Sequence, residues 1–222
     1  MIFDFSGTLA RWPELLQGAG TTLFLALAAM VGGTVIGGVA AAAALSRFRV
    51  VRVLPRAYVE TIRNTPFLVQ VYIVYFGLPA IGIRFAPVPA AVISLSVYAG
   101  AYVSEILRAG IEAVPRGQIE AARSLGLSAL ATLRHVVIGQ ALAAVFPALA
   151  SQFILVMLAS SLVSAISVQE LTGAANDIQG QTFRSFEAFL VVAALYLAMT
   201  GLLRTGLSGA ERRLCRFKFA GR

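Results

Sequence analysis

Long apolar runs, separated by short polar and basic segments, dominate this sequence. Five of them are long enough, or nearly so, to cross a hydrocarbon layer of about 30 Å, which takes about 20 helical residues. They cover residues 20–45, 65–83, 87–107, 138–166 and 186–203. No period-two alternation is long enough for a transmembrane barrel. The pattern therefore predicts an all-α membrane protein with five transmembrane helices, in which residues 1–222 form a single transmembrane domain.

Local features modify three of these runs. The second run is broken near Gly77 and Pro79, and the fourth is interrupted by Pro147, because proline lacks the backbone donor that a helix interior uses. In the first run, Gly33 and Gly37 are four residues apart, a spacing that lets two helices approach closely. This last feature is a packing signal and indicates little about function.

The composition agrees with a membrane protein. Hydrophobic residues make up 59% of the 222 residues, and charged residues only 13%. A soluble domain typically has about 25% charged residues, so disorder and an ordinary cytosolic enzyme are both excluded. The net charge of +8 is often a sign of nucleic-acid binding. Here the basic residues alternate with apolar runs, so membrane topology explains them better, and lipid rather than nucleic acid is the expected contact.

The distribution of basic residues predicts the orientation. Of the 18 lysines and arginines, all but Arg11, Arg84 and Arg184 follow the first, third or fifth run. Basic residues are enriched on the cytoplasmic side of membrane proteins. The sequence therefore predicts an extracytoplasmic N-terminus and a cytoplasmic C-terminus, which agrees with an odd number of spans.

The cytoplasmic segment between runs three and four, residues 112–137 (the connecting loop), has a distinctive order of local signals. A turn at Pro115 leads into a short helix over residues 118–125, and Gly126 stands where a helix C-cap is expected. Glu120 suits the positive end of the helix dipole. The loop thus predicts a short helix held between two turns below the membrane.

This short helix is a candidate docking element. Ser128 is placed to cap the next helix, which continues toward the fourth run. A protruding helix can dock in a groove of a partner protein. The alternative is an amphipathic helix on the lipid surface, but one acidic and one basic residue around Ala121 and Ala122 make a poor membrane anchor. Docking is therefore the favoured interpretation.

The order Glu120-Ala121-Ala122, Gly126 and Val136 resembles the EAA loop of ABC import permeases. Further ordered motifs resemble the polar amino-acid subfamily, and with them the resemblance covers essentially the whole chain. They include Phe3-Asp4-Phe5, Gly18, Thr22-Leu23, and residues 63–70, 75–79, 98–111, 161–164 and 182–188.

The resemblance implies a permease of the histidine/glutamine/arginine type in the bacterial cytoplasmic membrane. It implies two paired permease subunits, identical or homologous, above a dimer of cytoplasmic ABC ATPases, with substrate delivered by an extracytoplasmic solute-binding protein. The connecting loop would then be the coupling helix that transmits alternating access. The implied docking residues are Glu120, Ala121, Ala122 and Gly126, with Arg123 as a neighbouring contact.

The sequence departs from this family in two places. Ile138 and Gly139 stand where the loop usually ends in Leu-Pro. In the fourth run, Ser151-Gln152 and residues 158–161 replace the ionisable pattern Asn-Glu and Lys-Asp-Thr-Ser. Either the partner subunit supplies the carboxylate for a charged substrate, or uncharged polar groups handle it.

Several polar residues are therefore candidates for a substrate path. They are Gln70, Glu105, Gln152, Ser160 and Ser161. Glu105 is included because an ionisable group near the membrane is costly and more often functional. For the two serines the alternative is a hydrogen bond back to a backbone carbonyl of their own helix.

The segment between runs four and five, residues 169–187, contains Glu170, Asp177, Arg184 and Glu187. It is either a contact surface for the binding protein or an ordinary solvated loop, and the sequence leaves both open.

Chemistry of other kinds has no support in the sequence. It has no phosphate-binding P-loop, so ATP and magnesium are expected on the partner ATPase and no cofactor on this chain. With one histidine, His135, and one cysteine, Cys215, no zinc site and no internal disulfide are expected. An enzyme is therefore not expected.

Two other classes remain as alternatives. A self-contained secondary transporter or channel for small polar solutes commonly shows two internal repeats, which this chain lacks. A purely structural membrane anchor would not need an ordered docking loop.

Overall fold

The computed structural model describes residues 4–214. Phe3 of the N-terminal motif, Cys215, and the basic residues Arg216, Lys218 and Arg222 lie outside this part of the chain. Residues 4–214 contain helices and short turns and no β-strand, so the all-α prediction is confirmed.

Ten α-helices follow one another in the described part of the chain. They are α1 (Ser6–Leu9), α2 (Trp12–Ala44), α3 (Arg49–Arg63), α4 (Phe67–Tyr72), α5 (Pro87–Glu112), α6 (Arg116–Ser124), α7 (Ala129–Thr132), α8 (Ile138–Ala159), α9 (Leu171–Thr182) and α10 (Ser185–Leu214). Tighter or wider turns extend three of them. Helix α4 continues as π (Ile73–Gly77) and 3₁₀ turns (Leu78–Ile81), a π turn joins α7 to α8 (Leu133–Val137), and α8 ends in a 3₁₀ turn (Ser160–Ile166).

Four segments of residues 4–214 are long and apolar enough to cross a membrane. They are Trp12–Ala44, Pro87–Glu112, Ala129–Ile166 and Ser185–Arg213. A fifth, formed by Arg49–Arg63 with Phe67–Ile81, passes the same test only as a pair bent by 109°. By length and composition the chain is therefore a multi-pass membrane protein with four or five spans, and its direction across the membrane remains a prediction.

The second predicted run differs most from the structure. The sequence placed a span at residues 65–83 with a break near Gly77, where the helix indeed changes from π to 3₁₀ turns. The sharp bend lies earlier, between Arg63 and Phe67. Proline disfavours the helical conformation for the residue before it, and the extended Pro66 separates the end of α3 from the start of α4.

The fourth predicted run is less broken than expected. Helix α8 continues through Pro147 without interruption. The hydroxyl of Ser151 donates to the Pro147 carbonyl at 3.0 Å within the same helix. The expected interruption at Pro147 is therefore wrong, and the change in helix type comes at Ser160 instead.

Helices α2 and α5 form the central pair of the bundle. A Cβ atom on Gly33 would lie 2.5 Å from the Ala99 Cβ, and one on Gly37 would lie 2.7 Å from the Val103 Cβ. The close packing expected at this glycine pair is therefore confirmed. From the first contact to the second, the residue numbers increase along both helices, so α2 and α5 run parallel. Their C-terminal ends therefore lie at the same end of the bundle.

Candidate functional site

The connecting loop contains the predicted short helix, α6. It begins after Pro115, and its C-terminal end is closed by hydrogen bonds from the Leu127 amide to the Ala122 carbonyl (3.1 Å) and from the Gly126 amide to the Arg123 carbonyl (2.9 Å). These two bonds form a Schellman motif, which requires a left-handed residue at Gly126, where φ is +77°. The predicted C-cap at Gly126 is therefore confirmed.

A small core supports α6 from within the loop. Ile119 packs against three buried residues: Val114, which follows α5, Val137, which ends the π turn before α8, and Ala141 of α8. The side chains of Gln118 and Gln140 are hydrogen-bonded to each other across the same junction. Helix α6 is therefore attached to both neighbouring spans at once.

The next turn is capped as expected. The Ala131 amide donates to the Ser128 hydroxyl at 3.2 Å, which satisfies one free donor at the start of α7. Gly126 and Ser128 together fix the direction in which the chain leaves α6 and enters α7.

The residues proposed for docking differ in their accessibility. Glu120, Ala121, Arg123 and Gly126 are exposed, whereas Ala122 is buried. Ala122 therefore packs α6 against its support.

Two exposed leucines in the same loop were missed by the sequence reasoning. Leu125 is 82% exposed and Leu130 is 74% exposed. No local signal in the loop sequence distinguishes these two leucines from leucines that pack inward. Exposed apolar side chains of this kind mark contact surfaces for a protein partner or a membrane.

A second cluster lies where α5 reaches the same end of the bundle. The Arg108 guanidinium donates to Glu105 at 3.1 and 3.0 Å and to Glu112 at 2.8 Å, as the spacing of these residues predicts. Arg63 of α3 approaches Glu105 to 3.6 Å and lies over the Tyr102 ring. Glu105 is thus held between two arginines.

This cluster borders an open cleft of about 730 Å³ between α3 and α5. The α2 end at Ala44, together with Glu60 and Asn64, lines the same cleft. Glu105 therefore lies at the mouth of a polar space on the connecting-loop side.

The two glutamines of the predicted substrate path are buried. The Gln70 amide donates to the Ile62 carbonyl (2.8 Å) and to the backbone and hydroxyl oxygens of Thr65, so it holds the bend between α3 and α4. The Gln70 Oε1 and the Gln152 Nε2 are buried without a hydrogen-bond partner among residues 4–214. An unpaired buried amide atom costs free energy, so each marks a place where a polar ligand or water is favoured.

The two serines of that path, unlike the two unpaired glutamine atoms, each have a hydrogen-bond partner. The Ser160 hydroxyl donates to the Met157 carbonyl at 2.7 Å, and the Ser161 hydroxyl donates to the Leu158 carbonyl at 2.8 Å. The backbone-bonded alternative is therefore confirmed for both. Neither hydroxyl proton is available to a substrate in this conformation.

Glu170 was placed by the sequence in a solvated or partner-binding loop, and the structure corrects this. Its side chain is fully buried and accepts hydrogen bonds from the Gly173 amide (2.8 Å), the Tyr196 hydroxyl (2.7 Å) and the Thr22 hydroxyl (3.3 Å). Burial raises the pKa of the Glu170 carboxyl, and these hydrogen bonds oppose the shift. The network joins α9 to α2 and α10.

The rest of that segment forms an end of the bundle opposite α6. Arg184 pairs with Asp4 at 2.9 Å and approaches Glu187 to 3.9 Å. The Ser6 hydrogen bonds and the Arg184 guanidinium lower the pKa of the Asp4 carboxyl. These contacts fasten the start of the described chain to the turn before α10. Among residues 4–214, no cluster of histidine, cysteine and acidic side chains is suited to hold a metal ion.

By length and composition the helices of the bundle define a multi-pass membrane protein, and the short exposed helix α6 lies between two of its spans. Residues 33–210 match the model of the family described as binding-protein-dependent transport system inner membrane component, and the chain belongs to this family.

Named relatives agree with that assignment. The glutamine transport system permease protein GlnP of Escherichia coli K12 is 36% identical over 216 residues, covering 96% of this chain and 99% of GlnP. The probable amino-acid ABC transporter permease protein YckA of Bacillus subtilis 168 is 36% identical over 201 residues, covering 90% of this chain and 89% of YckA. These relatives are transport permeases rather than enzymes.

Solved structures share the fold. The crystal structure of an amino acid ABC transporter with histidines matches with a TM-score of 0.90 at 38% identity, covering 96% of this chain and 100% of the solved chain. An inward-facing form of the MetNI methionine ABC transporter matches with a TM-score of 0.77 at 19% identity, covering 92% and 98%. The second match shows a common fold.

Proposed function

We propose that this chain is the membrane-spanning permease subunit of an ABC importer for amino acids, and that a separate ATPase drives it through α6. Family membership and the relatives named for amino-acid and glutamine transport support the first part. The observation that carries the second part is α6 itself, which is capped at Gly126, buttressed by Ile119, and exposes Glu120, Arg123 and Leu125.

The support of α6 explains how force on it reaches the membrane. Val114 belongs to the segment that follows α5, whereas Val137 ends the π turn before α8 and Ala141 lies in the first turn of α8. Farther along, a Cβ atom on Gly110 would lie only 2.1 Å from the Val145 Cγ1, so α5 and α8 touch closely. A push on α6 therefore moves two spans together, as rigid-body rocking between outward and inward states requires.

The complete transporter, on this proposal, has two permease subunits above two ATPases, and a solute-binding protein delivers substrate from the other side. ATP and magnesium are bound by the ATPases. The connecting loop faces the cytoplasm, and the turn that contains Arg184 faces the binding protein. This direction follows the bias of basic residues.

The substrate class that fits best is a polar amino acid contacted by uncharged groups. The unpaired Gln70 Oε1 and Gln152 Nε2 support this, because each amide atom can hydrogen-bond a polar substrate without supplying charge. Glu105 is held by Arg108 and Arg63, so it is assigned to the cytoplasmic mouth rather than to the substrate.

Copurification tests the proposed coupling. The full chain, expressed with the ABC ATPase of its transport system, is expected to retain that ATPase during purification. Glu120→Lys is expected to weaken retention, because it reverses a charge on the exposed helix. Gln118→Glu, in the same helix but bonded to Gln140, is the comparison for a general effect of added charge. Amino-acid uptake that persists without any ATPase would instead support a self-contained transporter.

A further inference from the structure

Helix α3 (Arg49–Arg63) has an exposed apolar side that the bundle does not cover. On its inner side, Pro55 and Val59 are buried, and the Tyr58 hydroxyl donates to the Val97 carbonyl of α5. On another side, Val50 is 79% exposed and Leu54, one turn later, is 71% exposed. Exposed apolar side chains in a row indicate contact with a membrane or a partner.

A third side of α3 carries three arginines, which we call the arginine stripe: Arg49, Arg52 and Arg56. Their spacing of three and four residues places them on one helix face. With Val53 they line an open cleft of about 470 Å³. Within residues 4–214, none of the three forms an ion pair with a carboxylate. The stripe is thus a positively charged cleft that lacks an internal counter-ion.

The position of α3 places these two sides at one end of the bundle. The helix is bent by 109° from the segment Phe67–Ile81, so it lies roughly across the direction of that segment. It borders the end of α2 at Ala44 and the end of α5 at Glu112. Helix α3 therefore lies at the end of the bundle that also carries the connecting loop.

We propose that α3 lies in the headgroup region of the cytoplasmic leaflet and that the arginine stripe binds anionic phospholipid headgroups. Arginine forms paired hydrogen bonds with phosphate oxygens, and a row of basic residues beside the membrane is attracted to anionic lipids. Val50 and Leu54 enter the boundary of the acyl chains next to those headgroups, which is how an amphipathic helix binds a surface. The apolar neighbours favour a lipid over an acidic protein surface.

Quenching of a tryptophan by brominated lipids tests this directly. Trp12 is the only tryptophan in the sequence and lies at the start of α2, so Trp12→Phe with Val50→Trp places a single reporter on α3. The full chain is reconstituted in phosphatidylcholine bilayers with increasing phosphatidylglycerol, and each lipid is brominated in turn. We expect about a fivefold preference for phosphatidylglycerol at the reporter, falling as salt is raised.

Substitutions in the arginine stripe test whether its positive charge, rather than a change in the fold, causes the lipid preference. The combined Arg49→Gln, Arg52→Gln and Arg56→Gln variant is expected to lose the preference, whereas the corresponding triple lysine variant is expected to keep most of it. The natural Trp12, at the other end of α2, is the control and is expected to show no preference. If the glutamine variant does not fold, the lysine variant and the salt series still decide the question.

Three results would overturn the proposal. One is equal quenching by both brominated lipids at the α3 reporter. Another is a preference for phosphatidylglycerol that survives the glutamine substitutions. The third is the absence of quenching by either lipid, which would show that protein rather than lipid covers α3. The outcome is independent of the proposed coupling through α6, because none of these measurements involves an ATPase.

Discussion

The hydroxyl of Tyr196 donates a 2.7 Å hydrogen bond to the carboxylate of Glu170, which is fully buried at the start of α9. Thr22 completes the connection, because its hydroxyl donates to Glu170 and accepts from the Leu171 amide at 3.1 Å. The distant helix α2 and the consecutive helices α9 and α10 are thus joined at one carboxylate. This arrangement ties α9 to α2 and α10 at the end of the bundle opposite α6.

Removing the Thr22 hydroxyl should destabilise the fold. We expect Thr22→Val to lower the free energy of unfolding by about 1–3 kcal/mol, because the Leu171 amide and one Glu170 oxygen lose a buried partner. Thermal unfolding in detergent measures this. The neighbouring Thr21→Val is the matched control, since Thr21 is only half-buried and its hydroxyl donates within its own helix to the Gln17 carbonyl. Equal effects of the two substitutions would contradict the assigned network.

The carboxyl of Glu170 should give stability a characteristic pH dependence. Burial raises its pKa above the ordinary value of 4.5, so the folded chain holds this proton more tightly than the unfolded chain does. The contribution of Glu170 to stability is then complete below the unfolded pKa and is lost as pH rises through the folded pKa.

Comparison with Glu170→Gln isolates this titration. The melting temperature of the natural chain minus that of the variant is expected to fall as pH rises from acidic toward neutral. A difference that grows over the same range would mean that the folded-state pKa is lowered instead.

The contact between α2 and α5 should not accept a methyl group. A Cβ atom on Gly37 would lie 2.7 Å from Val103 side-chain atoms and 2.8 Å from the Gly100 carbonyl oxygen. We expect Gly37→Ala to cost about 1–3 kcal/mol, since the two helices must separate. Gly38→Ala, where nothing lies within 4 Å, should be neutral or slightly stabilising. The melting temperatures of the two variants give the comparison.

The end of α6 should be sensitive to the loss of glycine. Gly126 has a φ of +77°, and an alanine in this conformation costs about 1–2 kcal/mol. We expect Gly126→Ala to loosen α6 and to reduce substrate-stimulated ATP hydrolysis by the complete transporter. Gly117→Ala is the control in the same helix, because its Cβ would meet nothing within 4 Å. If substrate stimulates ATP hydrolysis normally in transporters that carry either variant, the cap at Gly126 is not needed for coupling.

Substitutions in the predicted substrate path should affect transport at Gln152 but not at Ser160. The Gln152 Nε2 is buried without a hydrogen-bond partner among residues 4–214, whereas the Ser160 hydroxyl donates to the Met157 carbonyl. We expect Gln152→Ala to lower the affinity or rate of ATP-driven amino-acid uptake in proteoliposomes, and Ser160→Ala to leave both nearly unchanged. Normal uptake by the Gln152→Ala variant would remove this residue from the substrate path.

Local signals predicted the connecting loop well. The position of Gly126 and the Ser128 cap follow from backbone chemistry within a few residues, so they can be recognised without tertiary structure. Leu125 and Leu130 could not be assigned in this way, because an apolar residue in a short helix packs inward unless its surroundings leave it no neighbour.

Tertiary contacts account for what the sequence did not predict. The burial of Glu170 depends on Thr22, which is 148 residues away, and no local pattern reports such a contact. The bend before α4 depends on Pro66 and on the Gln70 amide, which bonds back to Ile62 across the bend. Apolar runs alone show whether a segment is long and apolar enough to cross a membrane. They do not show where the chain bends between two helices.

Cross-linking tests the central claim most directly. Cys215→Ser removes the only cysteine, and Glu120→Cys then places one thiol on α6. In the assembled transporter, this thiol should cross-link to a cysteine introduced in the ATPase surface, and the yield should change when ATP binds. Phe183→Cys, at the α9 end, should give no such product. Equal cross-linking from both positions, or none from α6 in a transporter that still takes up amino acid, would contradict the proposed coupling.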